Sequence, residues 1–103
     1  MRVMAKISIP VAKGNQTIAA GNLPKAMQEI LGELKPEAAY FLAFQGKRTM
    51  FLFLDLPDPS KIPAVAEPFF MGFDAEVEFY PAMNADDLAK GLVDAEAAAK
   101  KYM

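Results

Sequence analysis

Three polar residues, Lys6, Glu78 and Tyr80, are the strongest candidates for chemistry in this chain of 103 residues. The chain has no His and no Cys, which removes the usual general base near neutral pH, thiolate nucleophiles and the commonest ligands of zinc and haem iron. Catalysis would rest on Glu78 as the proton acceptor, with Lys6 stabilising developing negative charge. Because no activated nucleophile is visible, proton-transfer isomerisation or a cofactor-independent oxidation is favoured over hydrolysis.

Aromatic residues are predicted to surround these groups and to form the walls of a binding site for a small, largely apolar or aromatic molecule. The predicted wall residues are Tyr40, Phe51, Phe53 and Tyr80. Such surroundings are expected to raise the pKa of Glu78, which would suit a general base. A simpler interpretation also stays open, in which Lys6 and Glu78 only pair across neighbouring strands and the aromatic residues form a subunit interface.

No cofactor and no metal are expected. The only adjacent acidic pair is Asp86–Asp87, and it follows Asn84, a good residue for the start of a helix. Carboxylates in a first helical turn complement the helix dipole, so capping explains this pair better than metal binding does.

The elements that position these residues follow from apolar periodicity and turn residues. Strands are predicted at residues 2–9, 38–44, 47–56 and 75–80, and KGNQTIAAGN is predicted to be a loop with at most one helical turn. One helix is expected between Asn22 and Pro36, with an apolar face of Leu23, Met27, Ile30, Leu31 and Leu34. A second begins near Asp58 or Ser60 and buries Ile62, Val65, Ala66, Phe69 and Phe70. A third begins near Ala85.

This β-α-β-β-α-β order with an extra C-terminal helix predicts a single domain over residues 1–103 with a ferredoxin-like α+β sandwich fold. Helices would cover one face of its sheet. With a two-residue turn at Gln45-Gly46, Tyr40, Leu42 and Phe44 share a face with Thr49, Phe51 and Phe53, and we assign this set to the uncovered face.

The run Met50–Leu54 is apolar throughout, which is typical of a strand that is buried on both faces. One layer of helices covers only one face, and a large exposed apolar patch is rare on a monomer. We therefore expect a homodimer in which a second copy covers the uncovered sheet face, giving a dimeric barrel.

The segments LKPEAAYF, FLDLPDPSKIPAVAEPFF and AEVEFYPAMNADDL resemble small bacterial proteins of the dimeric α+β barrel superfamily. The resemblance is strongest to a group of unknown activity and more distant to the muconolactone isomerase family. It implies a ferredoxin-like fold, a homodimer and an activity such as isomerisation or cofactor-independent monooxygenation. Haem-degrading members use His and Trp, and this chain has neither.

Other partners are disfavoured. The net charge of −2 gives no attraction to nucleic acid, although the aromatic residues of KRTMFLF are spaced like those of RNA-binding sheets. The absence of an apolar leader and of any membrane-length apolar run predicts a cytoplasmic protein that has no contact with a membrane. A non-catalytic ligand-binding or structural dimer module stays open as the alternative to an enzyme.

Overall fold

Alternating apolar and polar residues build the first and last strands, and longer apolar runs build the two strands between them. A computed structural model describes all residues from 1 to 103. The strands are β1 (Arg2–Ile9), β2 (Ala38–Phe44), β3 (Lys47–Asp55) and β4 (Glu76–Pro81). The helices are α1 (Val11–Ala19), α2 (Leu23–Leu34), α3 (Ile62–Phe73) and α4 (Ala85–Lys100), and a short 3-10 turn, Pro59–Lys61, precedes α3. None of these helices has the length and apolar character that a bilayer crossing requires.

The four strands form one antiparallel sheet in the order β2-β3-β1-β4. The first and third strands therefore lie side by side at the centre of the sheet. Gln45 and Gly46 join β2 to β3 as a two-residue turn, and both have positive φ angles, 53° and 78°. Such turns match the twist of a hairpin. The protein is thus an α+β protein with a four-stranded antiparallel sheet and four helices, consistent with a ferredoxin-like fold.

The core lies between one sheet face and the helices. Its most deeply buried sheet residues are Val3, Ala5 and Ile7 of β1 and Leu52 of β3, and α3 contributes Phe69 and Phe73. The predicted apolar face of α2 packs against this core with partly buried side chains: Leu23, Met27, Ile30, Leu31 and Leu34. Alternation along the strands and helical spacing thus converge on one apolar layer.

Two helical predictions were wrong in part. Most of the segment predicted as a loop belongs to α1, which is nine residues long and contacts α3 and β3. Its helix is supported by tertiary packing, because Gly14 is buried against Arg48 although its intrinsic helix propensity is low. In α3 the buried stripe ends with Phe73, whereas Phe70 and Ile62 are substantially exposed. The helix continues through Pro68 to Phe73, so the stripe extends one turn further than predicted.

The pairing register confirms the predicted faces of β2 and β3. Tyr40 lies opposite Phe51, and Phe51 lies opposite Lys6 of β1. No helix covers this side of the sheet over its aromatic residues. We call it the open face and define it by its large or charged residues: Met4, Lys6, Tyr40, Leu42, Phe44, Phe51, Phe53, Glu78 and Tyr80.

Candidate functional site

All six residues predicted for the site lie together on the open face. The register aligns Tyr40, Phe51, Lys6 and Glu78 as one row across the four strands. The next row contains Phe53 and Tyr80, separated by Met4. Because neighbouring strands are about 4.8 Å apart, each row spans about 14 Å from β2 to β4. One half of the face is therefore aromatic and the other half carries the titratable groups.

A small polar network occupies the β1–β4 half of the open face. The ammonium nitrogen Nζ of Lys6 lies 3.2 Å from Oε2 of Glu78. The hydroxyl of Tyr80, two residues along the same strand, donates a hydrogen bond of 3.1 Å to the other oxygen, Oε1. Glu78 is therefore engaged through both carboxylate oxygens. The Lys6 side chain is only 19% exposed, compared with 48% for Glu78.

Lys6 also connects the polar network to the aromatic half of the face. Its Nζ lies 4.7 Å from the centroid of the Phe44 ring, within the range of a cation–π interaction. Phe44 in turn packs edge-to-face on Phe51, with ring centroids 5.5 Å apart. Phe44 was not among the predicted site residues, although its alternation with Tyr40 and Leu42 already placed it on this face.

Glu78 and Tyr80 have pKa values shifted in opposite directions. The hydrogen bonds from Lys6 and Tyr80, together with the Lys6 charge, lower the pKa of Glu78. The hydrogen bond to the Glu78 carboxylate and its negative charge raise the pKa of Tyr80. The expectation that aromatic surroundings raise the pKa of Glu78 was therefore wrong, because the two donors outweigh desolvation. These shifts keep Glu78 a carboxylate and Tyr80 a protonated phenol at neutral pH.

This arrangement can orient a ligand more readily than it can attack one. The Tyr80 oxygen can still accept a hydrogen bond while its proton is donated to Glu78, and Lys6 offers further N–H donors. No cluster of acidic side chains is placed to hold a metal ion. Asp86 and Asp87 lie in the first turn of α4, where the Asn84 side chain accepts from the Asp87 amide at 2.8 Å and Asp87 accepts from the Asn84 amide at 3.1 Å.

A cavity of about 390 Å³ lies where α1 and α2 meet the β2–β3 hairpin, with most of its lining on the helix-covered side of the sheet. Its lining is mainly apolar and comprises Ile9, Ile18, Leu23, Met27, Phe41, Leu42, Ala43, Arg48, Thr49 and Met50. Phe41 is 57% exposed at this cavity, although it belongs to the helix-covered side. The helices therefore leave the end of the edge strand β2 partly uncovered.

Arg48 is the one charged residue that lines this cavity. Its Nη2 donates a hydrogen bond of 3.1 Å to Oδ1 of Asn15, and it forms no ion pair. Gly14 makes room for it, because a Cβ there would lie 2.5 Å from Nη1 of Arg48. Sequence reasoning missed this site because α1, which supplies Gly14 and Asn15, was predicted to be a loop. The glycine inside an otherwise helical segment was the available signal.

Comparison of the chain with protein-family models, with curated proteins and with solved structures gives no match. The resemblance to the dimeric α+β barrel superfamily therefore stays a prediction.

Proposed function

We propose that the protein is a homodimer with a ferredoxin-like fold that binds a small, largely apolar or aromatic molecule on its open face. One observation carries this proposal. A paired polar network, Lys6–Glu78–Tyr80, lies directly beside aromatic side chains on a sheet face that no helix covers. Apolar walls with a few convergent polar groups are the usual composition of a small-molecule site.

The homodimer follows from the exposure of the aromatic half. Tyr40 is 63% exposed and Leu42 is 42% exposed, and Phe51 and Phe53 lie half-buried between them and β1. Two such faces related by a two-fold axis would pack as sheets about 10 Å apart and withdraw this surface from water. The Lys6–Glu78 pair adds no net charge to the buried surface, so a net repulsion between the two faces does not oppose association.

The side chains define the chemistry of the ligand. Tyr40, Phe51 and Phe53 favour a flat apolar body, and Lys6 and Tyr80 favour one polar group at its end. Naphthol is a probe with these features. We expect it to shift the NMR signals of the open-face residues and to bind Lys6→Met more weakly than the wild type. Signals that shift only on the helix-covered side would contradict this site.

Proton-transfer isomerisation is the catalytic form of the same proposal, because Lys6 and Glu78 lie 3.2 Å apart and could both act on one substrate. Glu78 would take a proton from the carbon beside the carbonyl of an unsaturated substrate and return it to another carbon of the conjugated enolate, while Lys6 stabilises the enolate oxygen. The lowered pKa of Glu78 makes it a weak base at neutral pH, which favours a non-catalytic binding module over an enzyme.

Deuterium exchange distinguishes the isomerase from the non-catalytic binding module. Acetophenone incubated with the protein in deuterated water should exchange its methyl protons faster than in buffer if Glu78 acts as a base. Glu78→Gln keeps the side-chain shape and should reduce that exchange to the buffer rate without changing the molecular mass of the dimer. Equal exchange rates in the two proteins would show that Glu78 is not the base. Naphthol binding without any exchange would favour a non-catalytic binding module.

The Arg48 cavity supports a second candidate function, binding of an apolar carboxylate. Its guanidinium has an amide partner but no acidic one, and it stands at an apolar cavity. Arginine pairs with carboxylates through parallel hydrogen bonds. Octanoate should therefore shift the NMR signals of Arg48 and Met27, whereas octanol should bind more weakly. Arg48→Gln should make the two affinities equal, and the same preference for octanoate in that variant would contradict the assignment.

A further inference from the structure

Helix α4 buries none of its side chains within the protomer. Its three large apolar side chains, Leu88, Leu92 and Val93, are 45%, 52% and 69% exposed. The radius of gyration is 17.0 Å, and the longest dimension is 57 Å against 27 and 21 Å for the others. A compact chain of this length would have a radius of gyration of about 13 Å. A helix that extends from the body and exposes several apolar side chains is typical of a segment that packs on another chain.

The apolar residues of α4 follow a heptad pattern. Alternate spacings of three and four residues connect Ala85, Leu88, Leu92, Ala95 and Ala99, and this set is the α4 stripe. Such spacing places all five on one side of the helix, as in a coiled-coil seam. The neighbours of the stripe include Ala89, Gly91 and Ala98, which are small enough to allow a second helix to approach closely.

The α4 stripe is complementary to the same stripe of a second helix that runs antiparallel to it. In an antiparallel pair centred between Val93 and Asp94, Leu88 would lie opposite Ala99 and Leu92 opposite Ala95. Each large side chain would therefore meet a small one, which fills the seam without overpacking. A two-fold axis between two identical helices produces this antiparallel arrangement.

The charges of α4 have the same symmetry. Asp86 and Asp87 lie in the first turn, and Lys100 and Lys101 lie at the other end. An antiparallel pair brings the acidic end of each helix beside the basic end of the other, and it also opposes the two helix dipoles. A parallel pair would instead place like charges together.

We propose that α4 pairs antiparallel with α4 of a second copy through the α4 stripe. This pairing extends the homodimer of the proposed function, but it rests on α4 alone and needs neither the covered open face nor a ligand. The root of α4 is held beside the open face, because Nη1 of Arg2 lies 3.2 Å from Oδ2 of Asp87. The side chain of Arg2 belongs to the same face of β1 as Met4 and Lys6. The two contacts are therefore continuous on the protomer surface.

Disulfide cross-linking tests the pairing directly, because the chain contains no cysteine. Positions 88 and 99 lie about 16 Å apart along one helix and cannot bond to each other there. In the variant Leu88→Cys/Ala99→Cys, mild oxidation should convert most of the protein to a covalent dimer. The control Lys90→Cys/Ala97→Cys places both thiols on the outer side of α4 and should stay monomeric on a non-reducing gel.

Single variants establish the direction of the pair. Leu88→Cys alone should not cross-link in an antiparallel pair, since position 88 faces position 99. A covalent dimer of this variant would show parallel pairing and overturn the proposal. Equal cross-linking of the 88/99 and 90/97 variants would show random collision and would also overturn it.

Association measured by sedimentation provides a second test that does not depend on oxidation. Leu88→Lys/Leu92→Lys changes only exposed residues, so the fold should persist by circular dichroism. We expect its dissociation constant to rise by about tenfold or more, because two apolar anchors are replaced by charges. The control Val93→Lys alters a more exposed apolar side chain of α4 that lies outside the α4 stripe, and it should associate like the wild type. An unchanged constant in the double variant would overturn the pairing.

The outcomes distinguish this proposal from the proposed function. If the 88/99 cross-link forms while naphthol does not bind and Phe51→Glu leaves association unchanged, the α4 pair stands and the open-face site fails. If naphthol binds and Phe51→Glu separates the copies while the 88/99 cross-link is absent, the open face stands and the α4 pair fails.

Discussion

The two faces of the sheet are built from the same strands but differ in how completely they are buried. On the helix-covered face Ala5, Ile7 and Leu52 have no exposed surface. On the open face their immediate neighbours Lys6 and Phe51 are partly exposed, and Tyr40 is mostly exposed. Over β1 and β3 the first face is buried within one protomer. The open face is as rich in apolar side chains as a protein interior, but these side chains are partly exposed. It also carries the paired titratable groups.

The different burial of the two faces separates residues that stabilise the fold from residues that are available for interaction. Residues of the helix-covered face contact other residues of the same chain, so changing them should affect unfolding at any protein concentration. Residues of the open face lack such contacts on one side. Changing them should affect association and ligand binding first, and unfolding mainly through loss of association.

The largest expected effect is on the helix-covered face. Leu52→Ala removes a fully buried side chain and should lower the free energy of unfolding by about 2–5 kcal/mol. The control Phe53→Ala, at the next residue on the open face, should cost less in dilute protein, where the copies are separate. Urea denaturation at low and high protein concentration measures both. Equal losses at low concentration would mean that the faces do not differ as described.

The second prediction concerns the open face itself. Phe51→Glu would place an unpaired carboxylate in the proposed interface, which should raise the dissociation constant of the dimer by about a hundredfold. Met71→Glu is the matched control, because Met71 is 79% exposed on α3 and away from the open face. Light scattering at micromolar concentration measures the molecular mass. A wild-type protein that is monomeric under these conditions would contradict the homodimer.

The turn between β2 and β3 and the faces of the strands could be predicted from the sequence. The two-residue turn at Gln45-Gly46 specifies the register of β2 against β3, and the alternation in β1 places Lys6 on the open face. The capping box of Asn84 and Asp87 was equally clear from residue type and spacing. These features are local, so a short stretch of chain contains the information.

The missed features depend on contacts between distant segments. Gly14 has low helix propensity, and its place in α1 depends on Arg48, which lies 34 positions further along the chain. The same contact creates the cavity, so both were missed together. The pKa direction of Glu78 was missed because it depends on the distances from the carboxylate oxygens to Lys6 and Tyr80. Residue types alone indicated only an aromatic environment.

The third prediction concerns the contribution of Lys6 to the network. Lys6→Met retains an apolar stem but removes the charge that pairs with Glu78, so the pKa of the Glu78 carboxyl should rise relative to the wild type. Carbon-detected NMR titration of the Glu78 carboxyl measures it. Tyr80→Phe removes the second hydrogen bond and should produce a smaller rise, because Lys6 is the larger cause. A larger rise in Tyr80→Phe would reverse the assigned order.

The smallest predicted effect is the pH dependence of stability that Glu78 confers. Its pKa is lowered in the folded protein, so its favourable contacts are fully present above the unfolded value of about 4.3. They are lost as the pH falls through the folded value, because the protonated carboxyl no longer pairs with Lys6. The difference in unfolding free energy between wild type and Glu78→Gln should therefore be constant near neutral pH and shrink below about pH 4.

The control for this pH dependence is Glu76→Gln, on the same strand and face, since Glu76 forms no ion pair in the protein. Its difference from the wild type should change less over the same range. Urea denaturation from pH 3 to about 7 measures both variants. If the Glu78→Gln difference instead grew as the pH fell, the folded pKa would be raised. Desolvation of the carboxyl would then outweigh its pairing with Lys6 and Tyr80. A raised pKa would make Glu78 suitable as a general base, whereas the lowered pKa does not.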